Sequence, residues 1–213
     1  MRILITGGLG FIGRALTRQF LAEGGHDIIL VDSLSEQVHG PSPDYSDLTE
    51  RPEVTAIIGD ICTAGLLRDA LPNVDVVYHL AAETGTGQSM YEIESYYRTN
   101  VQGTAVLLEE IVRNTTSRPH ALILPSSRSV YGEGAYVSAA ADDPETAERF
   151  YPNARSSSDM TAGRFEFEQD GTALVPVATR ESDPTTPLSL YAASKLAQEH
   201  MCQIACASVG IRY

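Results

Sequence analysis

Apolar residues along the first half of the chain fall into two alternating rhythms. Short β-rich runs occur at Arg2–Thr6, Asp27–Asp32, 54–59, 74–80 and 120–126. Between them the apolar spacing is helical. Phe11, Ile12, Ala15, Leu16, Phe20 and Leu21 share one side of a helix predicted over Phe11–Glu23. Val101, Ala105, Leu108 and Val112 do the same in a longer helix expected over 89–114. A shorter helical piece is expected at 66–71, and an alanine-rich last helix, free of proline, at 191–208. Strands alternating with helices predict an α/β fold: a doubly wound parallel sheet in three layers, its strands joined by crossover helices.

Two regions break the alternation. Residues 34–53 hold Pro41, Pro43 and Pro52 and read as a surface loop. Residues 133–187 form a long insertion of weak periodicity, and structureless segments of that length are usually functional or flexible. A small hairpin is expected within it, from 165–167 and 173–177. No internal repeat is present, and residues 1–213 read as one domain.

Composition narrows the function classes. Fifteen basic against 28 acidic residues give a net charge of −13, which argues against a nucleic-acid or anionic-membrane partner. No apolar run has the length of a membrane span, and the first strand begins at Met1 with no signal peptide, so a cytoplasmic location is expected. Cys62, Cys202 and Cys206 lack zinc spacing and read as reduced thiols. Cys202 and Cys206, at i,i+4 on the last helix, are expected to pack rather than to bind metal.

The turn after the first strand reads Thr6-Gly7-Gly8-Leu9-Gly10-Phe11-Ile12-Gly13. Gly7, Gly10 and Gly13 allow a tight turn and a close backbone approach to a pyrophosphate resting on the helix N-terminus. Asp32 ends the next strand, where its carboxylate can accept from both ribose hydroxyls and would repel a 2′-phosphate; NAD is therefore favoured over NADP. Asp60, after the third strand, is placed to meet the adenine. Plainer readings remain beside these: Asp32 as a turn residue, Asp60 as a cap.

One lysine occurs in the whole chain, Lys195, four residues after Tyr191. That spacing puts both polar ends on one helix face. Unlike arginine, lysine carries a charge whose pKa responds to its surroundings. A solvated surface pair is the plain alternative.

With these residues the chain resembles the extended short-chain dehydrogenases/reductases, in the NAD-dependent epimerase/dehydratase group that acts on nucleotide sugars. The resemblance runs from Met1 to Tyr213. It rests on residues 6–13, Asp32, Gly59-Asp60-Ile61, His79-Leu80-Ala81-Ala82, Asn100-Val101-Gln102-Gly103-Thr104, Ser126-Ser127-Arg128-Ser129-Val130-Tyr131-Gly132 and Tyr191-Ala192-Ala193-Ser194-Lys195. Residues 83–93 and 131–136 most resemble members of the dTDP-L-rhamnose 4-epimerase type.

The resemblance implies a Rossmann-like fold and a bound NAD. It places Gly7, Gly10, Phe11, Ile12, Gly13, Asp32, Asp60, Ile61, Leu80, Ala81, Ala82, Asn100, Tyr191 and Lys195 around the cofactor, and Ser127, Tyr191 and Lys195 at the nicotinamide. Tyr191, its phenolate favoured by Lys195 and oxidised nicotinamide, would take a sugar hydroxyl proton while Ser127 holds the same oxygen. Thr86, Ser89 and Ser127 are expected on the substrate side. The implied activity is an NAD-dependent nucleotide-sugar 4-epimerase, on a dTDP-deoxyhexose such as dTDP-L-rhamnose; a 4-keto-sugar reductase and a non-catalytic NAD-binding module are the alternatives. Dehydratases of the group carry an Asp-Glu pair where this chain has Arg128 and Ser129, which disfavours dehydration. His79 reads as a core histidine, and Asn100 as either a cofactor-side support or an exposed helical amide. Residues 210–213 look like the opening of a sixth strand, so most of the substrate lobe is expected to lie beyond this chain. A homodimer through the helices over 89–114 and 191–208 is also implied.

Overall fold

In the computed structural model, which describes residues 1–213, alternate residues of strand β1 (Arg2–Thr6) face opposite halves of the core. Ile3 and Ile5 pack with Ile28 and Leu30 of β2 (Asp27–Asp32), under Leu16, Phe20 and Leu21 of α1 (Phe11–Glu23). Leu4, Ile29 and Val31 face the other way. This period-2 sorting buries both faces of the sheet, as crossover helices require.

Two short helices, α2 (Glu36–His39) and α3 (Ser46–Thr49), lie in the loop before β3 (Val54–Ile58). Next come β4 (Val76–His79), α4 (Ile93–Tyr96), α5 (Gly103–Arg113) and β5 (Ala121–Ile123). The sheet is wholly parallel, in the order β3-β2-β1-β4-β5. Strand order reverses beside β1, and ligands bind such sheets at the crevice above that switch point. The second core half joins Val77 and Leu122 to Leu107, Leu108 and Ile111 of α5 and to Cys202 and Cys206 of α7 (Leu190–Val209). Burial pushes the Cys202 thiol up to about 12, so it stays protonated as an apolar filler.

β1, β2 and α1 match their predicted bounds; the fourth and fifth strands are shorter than 74–80 and 120–126. Two helical expectations are corrected. Residues 66–71 form successive turns, with Leu66, Arg68 and Ala70 N–H groups bonded three residues back. Gly65, at φ +81°, opens them and turns the chain away from a helical path. The helix expected over 89–114 is broken into a 3₁₀ turn at Gln88–Met90, α4, a π-helical stretch at Tyr97–Gln102, and α5.

The insertion is ordered around a three-stranded antiparallel sheet, β6 (Tyr136–Ser138), β8 (Thr172–Pro176) and β7 (Glu168–Gln169), with helix α6 (Ser157–Thr161) beside it. The hairpin lies at 168–169 and 172–176, its first strand later than expected. Its register is set by Asp170-Gly171, both at positive φ, a two-residue turn signal that aromatic content obscured. Asp183 anchors the segment: it takes bonds from Arg149 Nε (3.1 Å) and Nη2 (2.7 Å), the Tyr151 hydroxyl (2.9 Å) and the Arg180 N–H (2.7 Å). The Arg149 guanidinium holds the Asp183 carboxyl down to about 2. Beyond α7, Arg212 bridges Ala121 in parallel, beside β5 as a sixth strand would lie. No helix is long and apolar enough to cross a membrane.

Asp183→Asn removes the charge that gathers four donors. We expect limited proteolysis to cut within 139–182 at least severalfold faster, with the five-stranded sheet still protected. Equal cutting rates would show that the anchor does not hold the insertion.

Candidate active site

The glycine turn is closed by its own backbone. Gly7 and Gly8 N–H groups both reach Val31 O, at 2.8 and 3.2 Å, and Gly10 N–H reaches Gly7 O at 3.1 Å. Gly7 sits at φ +66°, and a Cβ there would lie 2.8 Å from Ala81 N. At Gly13 a Cβ would stand 2.5 Å from Gly7 O. The first contact brings the turn against Leu80 and Ala81 at the exit of β4; the second seats α1 on the turn. Phe11 and Ile12, at the start of α1, are 85% and 53% exposed, an apolar rim on the cradle. Ala82 is half-buried next to Ala81.

Asp32 is buried at the end of β2, with Oδ2 accepting from Leu9 N–H and Oδ1 from Leu34 N–H, each at 3.0 Å. Asp60 accepts from Cys62 N–H (2.8 Å) and Arg98 Nη2 (2.6 Å). Burial pushes the Asp60 carboxyl up, but those two donors outweigh it and hold it below the usual carboxylate range. Ile61 is buried and is the contact a Cβ on Gly103 would strike, at 2.6 Å.

Asn100 is fully buried, and the π-helical stretch accounts for it. Its amide exchanges bonds with the Glu83 backbone, accepting from N–H (2.8 Å) and donating to O (3.1 Å), and donates to Ser194 Oγ at 2.9 Å. A π-bulge re-aims side chains in just this way, often at functional sites. The exposed helical reading of Asn100 is therefore excluded.

Ser189 caps α7 by accepting from Ala192 N–H, and the helix carries Tyr191 and Lys195. The Tyr191 ring meets the buried Tyr96 edge-on, at 6.3 Å between centroids. Lys195 is only 4% exposed, and burial lowers its pKa to about 8. A solvated surface pair is thus ruled out for Lys195. Ser127 stands at the start of the 3₁₀ turn Arg128–Tyr131, which packs on α7. Its hydroxyl accepts from Ser129 N–H at 3.2 Å and pairs with Ser129 Oγ at 2.7 Å.

The structure brings the glycine turn, Asp32, Leu80, Ala81, Ser127 and Tyr191 to the C-terminal edge of the sheet. Thr86 is exposed there, but Ser89 is withdrawn: it is fully buried and donates its hydroxyl to Thr86 O at 2.7 Å. It shapes the loop rather than facing a substrate. Arg98 and Glu83 were missed by sequence reasoning. Their partners come from distant segments, so no local spacing marks them.

His79 lies in the core below the site. Nδ1 is 2.7 Å from Thr6 Oγ1 and Nε2 is 2.8 Å from Thr104 Oγ1. Thr104 donates to Asn100 O, so Nε2 carries the proton and Nδ1 accepts from Thr6. Burial, then the Lys195 charge, drives the His79 pKa down to about 3.

A glycine turn on a helix N-terminus, an acidic residue ending the second strand and a sheet switch point above it define a dinucleotide-binding α/β protein. The model of the NAD dependent epimerase/dehydratase family matches residues 3–162. The chain belongs to that family. It is 36% identical to the dTDP-L-rhamnose 4-epimerase of Burkholderia thailandensis over 204 residues, covering 94% of this chain and 52% of that protein. It is 32% identical to the dTDP-glucose 4,6-dehydratase of Streptomyces niveus, covering 76% and 48%. The solved UDP-glucuronic acid 4-epimerase of Bacillus cereus, in complex with UDP-glucuronic acid and NAD, superposes with a TM-score of 0.69 at 25% identity, covering 99% of this chain and 54% of that one. The chain spans about half the length of the curated relatives it matches.

His79 is neutral when folded and takes up a proton when unfolded below about pH 6.5. Between there and pH 3 the unfolded chain binds more protons, so stability falls as pH falls. We expect a loss of about 2 kcal/mol from this group between pH 7 and pH 5, read from urea unfolding. His79→Gln should show a flatter pH dependence over that interval; an equal slope in both proteins removes His79 from the account.

Proposed function

We propose that this chain is the cofactor-binding and proton-transfer half of an NAD-dependent nucleotide-sugar 4-epimerase, acting on a dTDP-deoxyhexose of the dTDP-L-rhamnose kind. The observation that carries the reading is the buried Lys195, one turn after Tyr191, on a helix packed against the Ser127 segment. The cradle fits NAD: substituents at Gly7 and Gly13 would collide with backbone, and the Asp32 carboxylate, at the end of β2 beside the turn, would receive an adenosine ribose. Phe11, Ile12, Leu80, Ala81 and Ala82 would line the dinucleotide, and Asp60 with Ile61 its adenine. Bound there, NAD supplies reversible hydride acceptance at the sugar C4.

The chain's own groups handle the proton. Tyr191 exchanges it with the C4 hydroxyl, and Lys195 supplies the balancing positive charge. Ser127 hydrogen-bonds the same oxygen and orients it. Asn100 fixes the loop after β4 to α7 through Glu83 and Ser194, which sets the spacing between cofactor and proton donor. Thr86 and Ser127 face the sugar. Hydride return to the opposite face of a rotated sugar would invert C4 with no net redox change. Arg128 and Ser129 lack the acidic pair a dehydration would use. The same reading makes the protein a homodimer: Ile93, Tyr97 and Ile204 leave apolar surface exposed on the two helical regions that would pair.

Light scattering should give twice the 23.0 kDa chain mass; a monomer at micromolar concentration contradicts the dimer. For the activity, the intact protein is incubated with dTDP-L-rhamnose and with UDP-sugars, and products are resolved by NMR. A C4 epimer formed without net NADH is expected. Stoichiometric NADH consumption on a keto-sugar would point to a reductase, and retained NAD without turnover to a binding module. Lys195→Met should abolish turnover yet raise the melting temperature by a few degrees, because a buried ammonium is removed. Wild-type rates in that variant would sink the mechanism.

A further inference from the structure

The loop after β2 contributes a group that neither the glycine turn nor the Tyr-Lys pair explains. His39, the last residue of α2, puts Nε2 3.1 Å from Asp32 Oδ1. Both side chains are almost closed to solvent, at 4% and 6% exposure. On its other side His39 Nδ1 lies 2.6 Å from the Tyr45 hydroxyl, and the two rings meet edge-on at 5.6 Å. Tyr45 is in turn covered by the Arg14 guanidinium, 5.2 Å from its ring centre. Asp32, Tyr45 and Arg14 are the ionisable groups that contact His39 directly or through Tyr45.

This chain of contacts has a defined direction. The Tyr45 hydroxyl can donate to Nδ1, which leaves the proton on Nε2, aimed at the carboxylate. Asp32 accepts from two backbone donors, Leu9 N–H on Oδ2 and Leu34 N–H on Oδ1, and His39 Nε2 stands at ion-pair distance from Oδ1. A carboxylate offers about four lone-pair positions. Two remain free, one on each oxygen. The turn carrying His39 is itself tied down, since the Gln37 and Gln88 amides exchange bonds at 2.8 and 3.2 Å.

We propose that His39 is a positioning residue for cofactor recognition, holding the Asp32 carboxylate in the orientation that presents one free position on each oxygen to the adenosine ribose diol. This assignment rests on the reading that Asp32 binds NAD. His39 touches neither the sugar substrate nor the reacting atoms. It acts by fixing the carboxylate through the close polar contact with Oδ1. Loss of a polar contact to a buried charge is worth roughly a tenfold change in an equilibrium constant.

The test is direct NAD binding by calorimetry, with no turnover required. His39→Leu should weaken NAD roughly tenfold, and His39→Gln, whose amide can donate near the same point, should stay within about threefold of wild type. In an Asp32→Asn background His39→Leu should change affinity less than about twofold, because its effect passes through that carboxylate. A residue that merely fills space would give the same loss in both backgrounds and no rescue by Gln; that pattern overturns the assignment. Should His39→Leu not fold, Tyr45→Phe removes only the hydroxyl that orients the imidazole. It should weaken NAD about threefold, and unchanged affinity there counts against the relay. A wild-type chain that binds no NAD overturns the cofactor reading itself, whereas tight wild-type binding with indifferent variants overturns His39 alone.

Discussion

One threonine hydroxyl ties the sheet to the helix that carries the proposed chemistry. Thr104 Oγ1 donates to Asn100 O at 2.5 Å and stands 2.8 Å from His79 Nε2 and 2.7 Å from Gln198 Nε2. Those partners sit on the π-helical stretch, on β4 and on α7. Through His79 the chain of bonds continues to Thr6 at the end of β1, and Thr6 Oγ1 also accepts from Ala81 N–H at 3.2 Å. A fully buried polar chain of this kind tolerates little displacement, since each lost bond strands a group without water. The glycine turn, the β4 exit and the Tyr191–Lys195 face are therefore held in one register by side chains that touch no ligand.

That dependence accounts for what was legible in the sequence and what was not. Period-2 and helical apolar spacing, together with Gly7, Gly10 and Gly13, were enough for β1, α1, β2 and the cradle, because those elements are specified by local pattern and turn chemistry. The break in the helix expected over 89–114 was hidden. Nothing local disfavours helix at Tyr97–Gln102; the π register goes with the pairing of Asn100 to Glu83 and Ser194, partners outside the helix that local spacing does not reveal. The turns at 66–71 were misread for a related reason. Leu67, Ala70 and Leu71 have helical spacing, but they are buried as separate anchors between Gly65 and the following strand. In the insertion, aromatic residues drew the hairpin too early, and Asp170-Gly171 decided its register.

The site residues divide along the same line. Gly7, Asp32, Tyr191 and Lys195 could be proposed from sequence because each belongs to a short motif with fixed spacing. Ser89 was read as facing a substrate because small polar residues look alike in a sequence; its burial and its bond to Thr86 O give it a structural part. Arg98 and His39 carried no signal, since what makes them matter is an aspartate met only after folding.

The chain's use of cations shows the same logic at the level of composition. Arginines serve where a guanidinium meets a carboxylate: Arg149 with Asp183, Arg98 with Asp60, Arg155 with Glu133. A permanently charged fork suits those pairs. The single lysine forms no ion pair, and burial outweighs the nearby Glu199 charge to bring its pKa to about 8. An arginine there would remain charged at any working pH and would need room for a planar fork in a pocket 4% open to solvent. A compact ammonium, one helical turn from Tyr191, is thus the one side chain among the lysines and arginines whose charge burial has brought near the neutral range.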